Sequence, residues 1–68
     1  MEVIDSKSKA LEIYMMMVVK NEQLSFNDRM RKSKLDSIKY AKDKLKECKL
    51  YQDRLYWEVV ITQIEQIP

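Results

Sequence analysis

Two stretches of helical periodicity are separated by the polar segment Asn21-Glu22-Gln23-Leu24-Ser25-Phe26-Asn27-Asp28. Ser25, followed three residues later by Asp28, fits the capping pattern in which a hydroxyl accepts a hydrogen bond from the free amides of a helix's first turn. Asn27 is a competing cap. The segment therefore predicts a turn over residues 21–25 and the start of a second helix at about residue 26.

The chain has 68 residues, contains no glycine, and carries its one proline as Pro68. At average usage of about 7%, a chain of this length would hold roughly five glycines. Glycine is the usual residue in type I′ and II′ hairpin turns, phosphate-binding loops, dinucleotide fingerprints and left-handed helix caps. No internal proline interrupts a helix either. These absences predict an all-α fold.

We expect residues 1–68 to form a single helical domain, with helices at about 6–21, about 26–49 and about 52–66. Asp5 or Ser6 is the expected N-cap of the first helix. Two alternatives stay open beyond residue 49. Either the second helix continues unbroken, which makes a helical hairpin, or the chain kinks near residue 51 and Asp53 caps a third helix. The β-branched and aromatic residues from Tyr56 to Ile64 also allow a strand, although they break the alternation that a strand needs.

The apolar residues of the first two helices differ in how widely they spread around the helix. Those of the first helix cover roughly half the circumference, which predicts two neighbours; they are Ala10, Leu11, Ile13, Tyr14, Met15, Met17 and Val18. Those of the second helix form a narrow stripe suited to one partner helix. Its members are Met30, Lys34, Leu35, Ile38, Ala41, Leu45 and Cys48, and Leu55, Tyr56, Val59 and Val60 continue it.

The side chains that usually carry catalysis or hold metals are scarce. The sequence has no histidine and one cysteine, Cys48. A cysteine nucleophile would have no imidazole to take its proton, and a four-ligand zinc site cannot be assembled. Cys48 lies on the apolar stripe, which favours a small buried hydrophobe over a reactive thiol. We therefore expect no enzyme activity, no catalytic residues, no cofactor, no metal and no small-molecule substrate.

The apolar run from Ala10 to Val19 has roughly the length of a signal-peptide core. Its acidic surroundings, the interruption by Glu12 and the absence of a small-residue cleavage site argue against that role. The run is also shorter than the about 20 apolar residues that span a bilayer. The lone cysteine favours a reducing compartment. We therefore expect a soluble, cytoplasmic protein that does not bind membranes.

The positive charge is concentrated in the middle of the chain. Residues 29–49 hold nine Lys and Arg and three Asp and Glu, whereas the rest holds four basic and eight acidic residues. Helical spacing places six cations on one stripe along the second helix: Arg31, Lys32, Lys39, Lys42, Lys46 and Lys49. Such a stripe is most often a solvated face, but it could also contact phosphates. A nucleic-acid-binding regulator is therefore the alternative function.

The apolar surface exceeds what one small protomer would bury. A domain of about 60 residues buries only about 60% of the surface that its unfolded chain exposes. A two-helix hairpin buries one face of each helix, so Trp57 and Ile64 need either a neighbouring chain or a third helix that folds back. The predicted partner or oligomer interface comprises Leu11, Tyr14, Met15, Val18, Leu50, Trp57, Ile61 and Ile64.

These patterns together predict a small non-enzymatic protein-binding adaptor, chaperone or regulator. It would act through its apolar helix faces, either as a homodimer packed into an oligomeric helical bundle or in an obligate complex with another protein.

Overall fold

The computed structural model describes the backbone of residues 3–67 and the side chains of residues 6–67. The described chain consists of three helices, α1 (Val3–Lys20), α2 (Phe26–Glu47) and α3 (Tyr51–Glu65), and it contains no strand. The all-α prediction is confirmed, and the strand interpretation of Tyr56 to Ile64 is wrong because these residues lie inside α3. Among these residues, no helix combines the length and the apolarity needed to cross a bilayer.

The α1–α2 turn is where the sequence predicts it. Ser25 is the N-cap of α2, with an extended backbone, and its Oγ accepts a hydrogen bond from the backbone amide of Asp28 at 3.5 Å. The start of α1 was predicted too late. Because this helix begins at Val3, Asp5 and Ser6 lie within it and do not cap it.

The kinked alternative for the second half of the chain is the one found. Cys48 and Leu50 both have extended backbones, with ψ values of 133° and 141°, so the helix stops after Glu47 and restarts at Tyr51. Leu50, and not Asp53, is the N-cap of α3. Asp53 lies in the first turn of α3, where its negative charge interacts favourably with the positive end of the helix dipole. No described residue has a positive φ, so these helices end without the left-handed caps that glycine usually provides.

Helices α2 and α3 pack against each other as an antiparallel pair. Tyr40 stacks edge-on against Trp57, and the Nζ of Lys34 donates a hydrogen bond to the backbone oxygen of Ile67 at 2.9 Å. Earlier residues of α2 thus meet later residues of α3, which is the order of an antiparallel pair.

Helix α1 packs against both members of this pair. The Tyr14 hydroxyl donates to the sulfur of Met30 at 3.2 Å, and Asn21, directly after α1, donates to the later residues Ser33 and Asp36. Later residues of the first segment thus meet later residues of α2, which is not the order of an antiparallel pair. Helix α3 is therefore packed against both other helices, which is the fold-back that the sequence left as an alternative to a neighbouring chain.

The core is small and built around close helix contacts. Its fully buried apolar side chains are Ala10, Ile13, Ala41, Val60 and Ile64. The buried face of α2 is centred on Ser33, Ser37 and Ala41, which recur every four residues. The predicted stripe is only partly right, because Leu35 is 61% exposed. Small side chains let helix backbones approach closely. The buried Ser37 hydroxyl forms its hydrogen bond within its own helix, since its Oγ donates to the backbone oxygen of Ser33 at 2.7 Å.

Candidate protein interface

The side of α1 that faces away from the core is apolar. Among residues 6–21, the buried side chains are those of Ser6, Ala10, Ile13 and Asn21. At 100° per residue, a second set lies in an arc about 100° wide, centred about 150° around the helix from the buried set. We call this set the α1 outer face; it comprises Leu11, Met15, Val18 and Val19.

The α1 outer face is largely open to solvent. Leu11, Met15 and Val19 are 48%, 57% and 64% exposed, and Val18 is half-buried. An arc of about 100° is the width that an amphipathic helix normally turns toward a protein core. Helix α1 thus has a core face and a second apolar face of similar width that residues 6–67 leave largely open to solvent.

Methionine gives this surface an adaptable character. Met15 and Met16 are both exposed, whereas Met17 is half-buried. Methionine side chains are unbranched and polarizable, so they fit partners of different shapes.

A second apolar row runs along the outside of α3. Tyr51, Leu55 and Val59 recur every four residues, and all three are exposed, with Tyr51 at 73%. The sequence places Leu55 and Val59 on the continuation of the apolar stripe of the second helix, whereas both side chains are exposed. The spacing of four residues was visible in the sequence, but Tyr56 and Val60 repeat with the same spacing, and only the packing of α3 shows which of the two rows is inside.

The predicted interface residues differ in their exposure to solvent: some are exposed, some are half-buried, and Ile64 is buried. Leu11, Met15 and Leu50 are exposed. Tyr14, Val18, Trp57 and Ile61 are half-buried.

Ile64 is a correction to the predicted interface, because it is 0% exposed and belongs to the core of the same chain. Packing of α3 against α1 covers this side chain without a second chain.

Trp57 is also largely engaged within the chain. Its ring packs edge-on against Tyr56, with 5.5 Å between ring centroids, and against Tyr40, with 6.4 Å. Edge-to-face aromatic pairs at these separations are favourable. The amine of Lys44 lies 5.5 Å from the centre of the Tyr40 ring, which extends the cluster to the edge of α2. The interface therefore depends on α1 and on the outer row of α3 more than on Trp57.

All six residues of the predicted basic stripe are exposed on α2 or directly after it. Arg31 is 3.9 Å from Asp28 and Lys32 is 3.6 Å from Asp36, so these two cations have carboxylate neighbours. The ion pairs found over residues 6–67 include none of the remaining four, Lys39, Lys42, Lys46 and Lys49. Leu35 interrupts the stripe with an exposed apolar side chain.

Arg29 fixes the turn that ends α1, a role that the sequence analysis missed. Its guanidinium Nη2 donates to the backbone oxygens of Glu22 and Leu24. These carbonyls lie just after the end of α1, where no following turn of helix supplies backbone N–H donors. This contact could not be predicted from the sequence. Arg29 lies seven residues after Glu22, and only the fold of the turn brings its guanidinium to that carbonyl.

Cys48 lies at the end of α2, half-buried, and its thiol donates to the backbone oxygen of Lys44 at 3.2 Å. It is therefore a helix-end residue and less buried than predicted.

Comparisons of this chain with protein-family models, with curated proteins and with solved structures gave no match.

Proposed function

We propose that this chain is a small protein-binding module, an adaptor, chaperone or regulator, that docks another polypeptide on the α1 outer face. The observation that carries the proposal is the second apolar face of α1, opposite its core face and open to solvent. Contiguous exposed apolar surface of this kind is typical of protein interaction sites. Met16 adds a further exposed apolar side chain to α1.

The proposed mechanism is helix docking without chemistry. The partner would lay an apolar helix or groove along Leu11, Met15 and Val19, which span about 12 Å of helix at 1.5 Å per residue. Complete burial of a fully exposed aliphatic side chain contributes about 1.5–3 kcal/mol. Leu11, Met15 and Val19 are 48–64% exposed, so each would contribute roughly half of that. A homodimer and an obligate complex with another protein both fit this description.

Site-specific photo-crosslinking tests the proposal. Benzoyl-phenylalanine replaces Met15 in one variant and Leu35 in a matched control, since both side chains are large, apolar and exposed. Each variant is irradiated alone and in an extract of its host, after circular dichroism has shown unchanged helix content. We expect protein adducts from position 15 and few from position 35. An absence of adducts from position 15, or equal yields from the two positions, would overturn the proposal.

The second candidate function is nucleic-acid binding through the basic stripe. The favouring observation is that Lys39, Lys42, Lys46 and Lys49 are all exposed and outside the ion pairs of the described chain. Titration with duplex DNA and with structured RNA at two salt concentrations tests it. Binding that weakens steeply with salt, and weakens further when Lys42 and Lys46 are changed to Gln, would support this function. Absence of binding at low salt would eliminate it.

A further inference from the structure

We infer that the polypeptide docked on the α1 outer face is a second copy of this chain, whose own α1 lies antiparallel to the first. The two-fold axis of this homodimer passes by Met15. The inference rests on the proposed function, because it names the partner of the same face.

The apolar pattern of the face is symmetric about Met15. Leu11 lies four residues before it and Val19 four residues after it, so all three project from nearly the same side of the helix. Antiparallel pairing centred on Met15 places Leu11 of one copy against Val19 of the other, twice, and the two Met15 side chains against each other. A two-fold interface requires this self-complementarity, because the same patch serves both subunits.

The charges at the ends of the face favour the same arrangement. Lys7 lies near its beginning and Glu22 directly after its end, and both are exposed. Antiparallel helices bring Lys7 of one copy near Glu22 of the other at both ends, whereas parallel helices would bring like charges together. Exposed ion pairs contribute only about 0–1 kcal/mol each, so they set the orientation more than the affinity.

The charge of Glu12 beside the face does not oppose this pairing. Glu12 borders the α1 outer face, and its carboxylate is 3.5 Å from the amine of Lys9 on the same helix. Its charge is therefore partly balanced within each copy before the two copies meet.

The size of the molecule also favours a second copy. Residues 6–67 contribute five fully buried apolar side chains to the core, and the Cα positions extend only 15 Å in the thinnest direction. Chains this small commonly gain stability from association, and a second copy is present wherever the chain is made.

Disulfide trapping tests the inference and its orientation together. Cys48→Ser gives a background without the native thiol, and serine keeps a donor for the Lys44 carbonyl. In this background we make Leu11→Cys, Met15→Cys and Val19→Cys separately and oxidise each with copper phenanthroline. In the antiparallel dimer two copies of residue 11 are offset by eight residues, about 12 Å along the helix. That exceeds the roughly 7 Å between Cα atoms that a disulfide tolerates.

We expect Met15→Cys to form a disulfide dimer by itself. Leu11→Cys and Val19→Cys should form little dimer separately and a mixed dimer in high yield when combined. Strong dimers of Leu11→Cys alone would overturn the antiparallel arrangement, and the absence of a dimer at position 15 would overturn the homodimer. In that second case the photo-crosslinks of position 15 decide the proposed function independently: an adduct with a different protein keeps it, and no adduct rejects it.

Discussion

Asn21 is the polar residue on which the packing of α1 most depends. It is 2% exposed, and its amide donates to Ser33 Oγ and to Asp36 Oδ2, both at 3.3 Å. The Asp36 carboxylate is also 3.6 Å from the amine of Lys32, so one buried amide connects the end of α1 to the charged side of α2. A buried amide that keeps its partners specifies how two helices meet, because any other register leaves polar groups unpaired.

Asn21→Ala should lower the free energy of unfolding by about 1–3 kcal/mol, since the buried Ser33 hydroxyl and the half-buried Asp36 carboxylate both lose a donor. Asn27→Ala is the control, because Asn27 is exposed in the first turn of α2 and should change stability by less than about 0.5 kcal/mol. Urea unfolding at one fixed chain concentration measures both. Equal values for the two variants would show that the buried network contributes nothing to stability.

Ser37 makes a second prediction at the residue scale, because it is fully buried where α2 packs on its neighbours. Ser37→Ala should be neutral or stabilising, since the hydroxyl bonds only within its own helix and alanine is the better helix former. Ser37→Leu should lose about 1–3 kcal/mol by overpacking. Thermal unfolding followed by circular dichroism compares the pair. A Ser37→Leu chain as stable as the wild type would mean that the helices are not closely packed there.

At the scale of the elements, the connection between α1 and α2 is stabilised from both sides. Ser25 caps the first turn of α2, and Arg29, one turn further on, satisfies two carbonyls of the preceding turn. The Arg29 Nε is buried without a hydrogen-bond partner among the described atoms, so the guanidinium gives up some hydration to reach these carbonyls. The turn at residues 21–25 therefore depends on the charged side chain of Arg29, which belongs to α2.

Arg29→Met should destabilise the chain by about 1–3 kcal/mol, because charge-assisted hydrogen bonds to two carbonyls are lost. The matched variant Arg31→Met should change little, since Arg31 is exposed and makes a long ion pair of 3.9 Å with Asp28. Hydrogen exchange of residues 21–25 gives the local readout. Faster exchange in Arg29→Met alone is expected, and identical exchange in both variants would contradict the role assigned to Arg29.

The elements also show what the sequence could and could not predict. The Ser25 cap and the turn at residues 21–25 follow from local chemistry, and the structure has both. The buried serines of α2 could not be predicted from hydrophobic periodicity, because Ser33 and Ser37 are polar and their burial depends on how closely α1 and α3 approach. Leu35 fits the apolar stripe by spacing but is exposed, because the helices pack on the serine face of α2. Ile64 is buried within its own chain, because α3 packs against the other two helices.

At the scale of the whole molecule, the chain is elongated, with principal extents of 39, 22 and 15 Å. Its Cα radius of gyration is 12.2 Å, against about 11 Å for a compact domain of this length. A thin arrangement of three helices leaves each with an outer side. The outer sides of α1 and α3 carry apolar residues, and the outer side of α2 carries cations. The outward apolar sides are the part of the candidate site that the sequence predicted through Leu11 and Met15, while Val19, Tyr51 and Leu55 needed the packing to be known.

Sedimentation equilibrium of the wild type beside Met15→Lys, with Leu35→Lys as the control, tests the central claim that the α1 outer face joins two copies of the chain. The wild type and Leu35→Lys should sediment at twice the chain mass of 8.2 kDa at micromolar concentrations. Met15→Lys should sediment as a monomer with unchanged helix content, because it buries a charge at the two-fold axis. A wild type that sediments at 8.2 kDa throughout, or a Met15→Lys chain that remains a dimer, would contradict the claim.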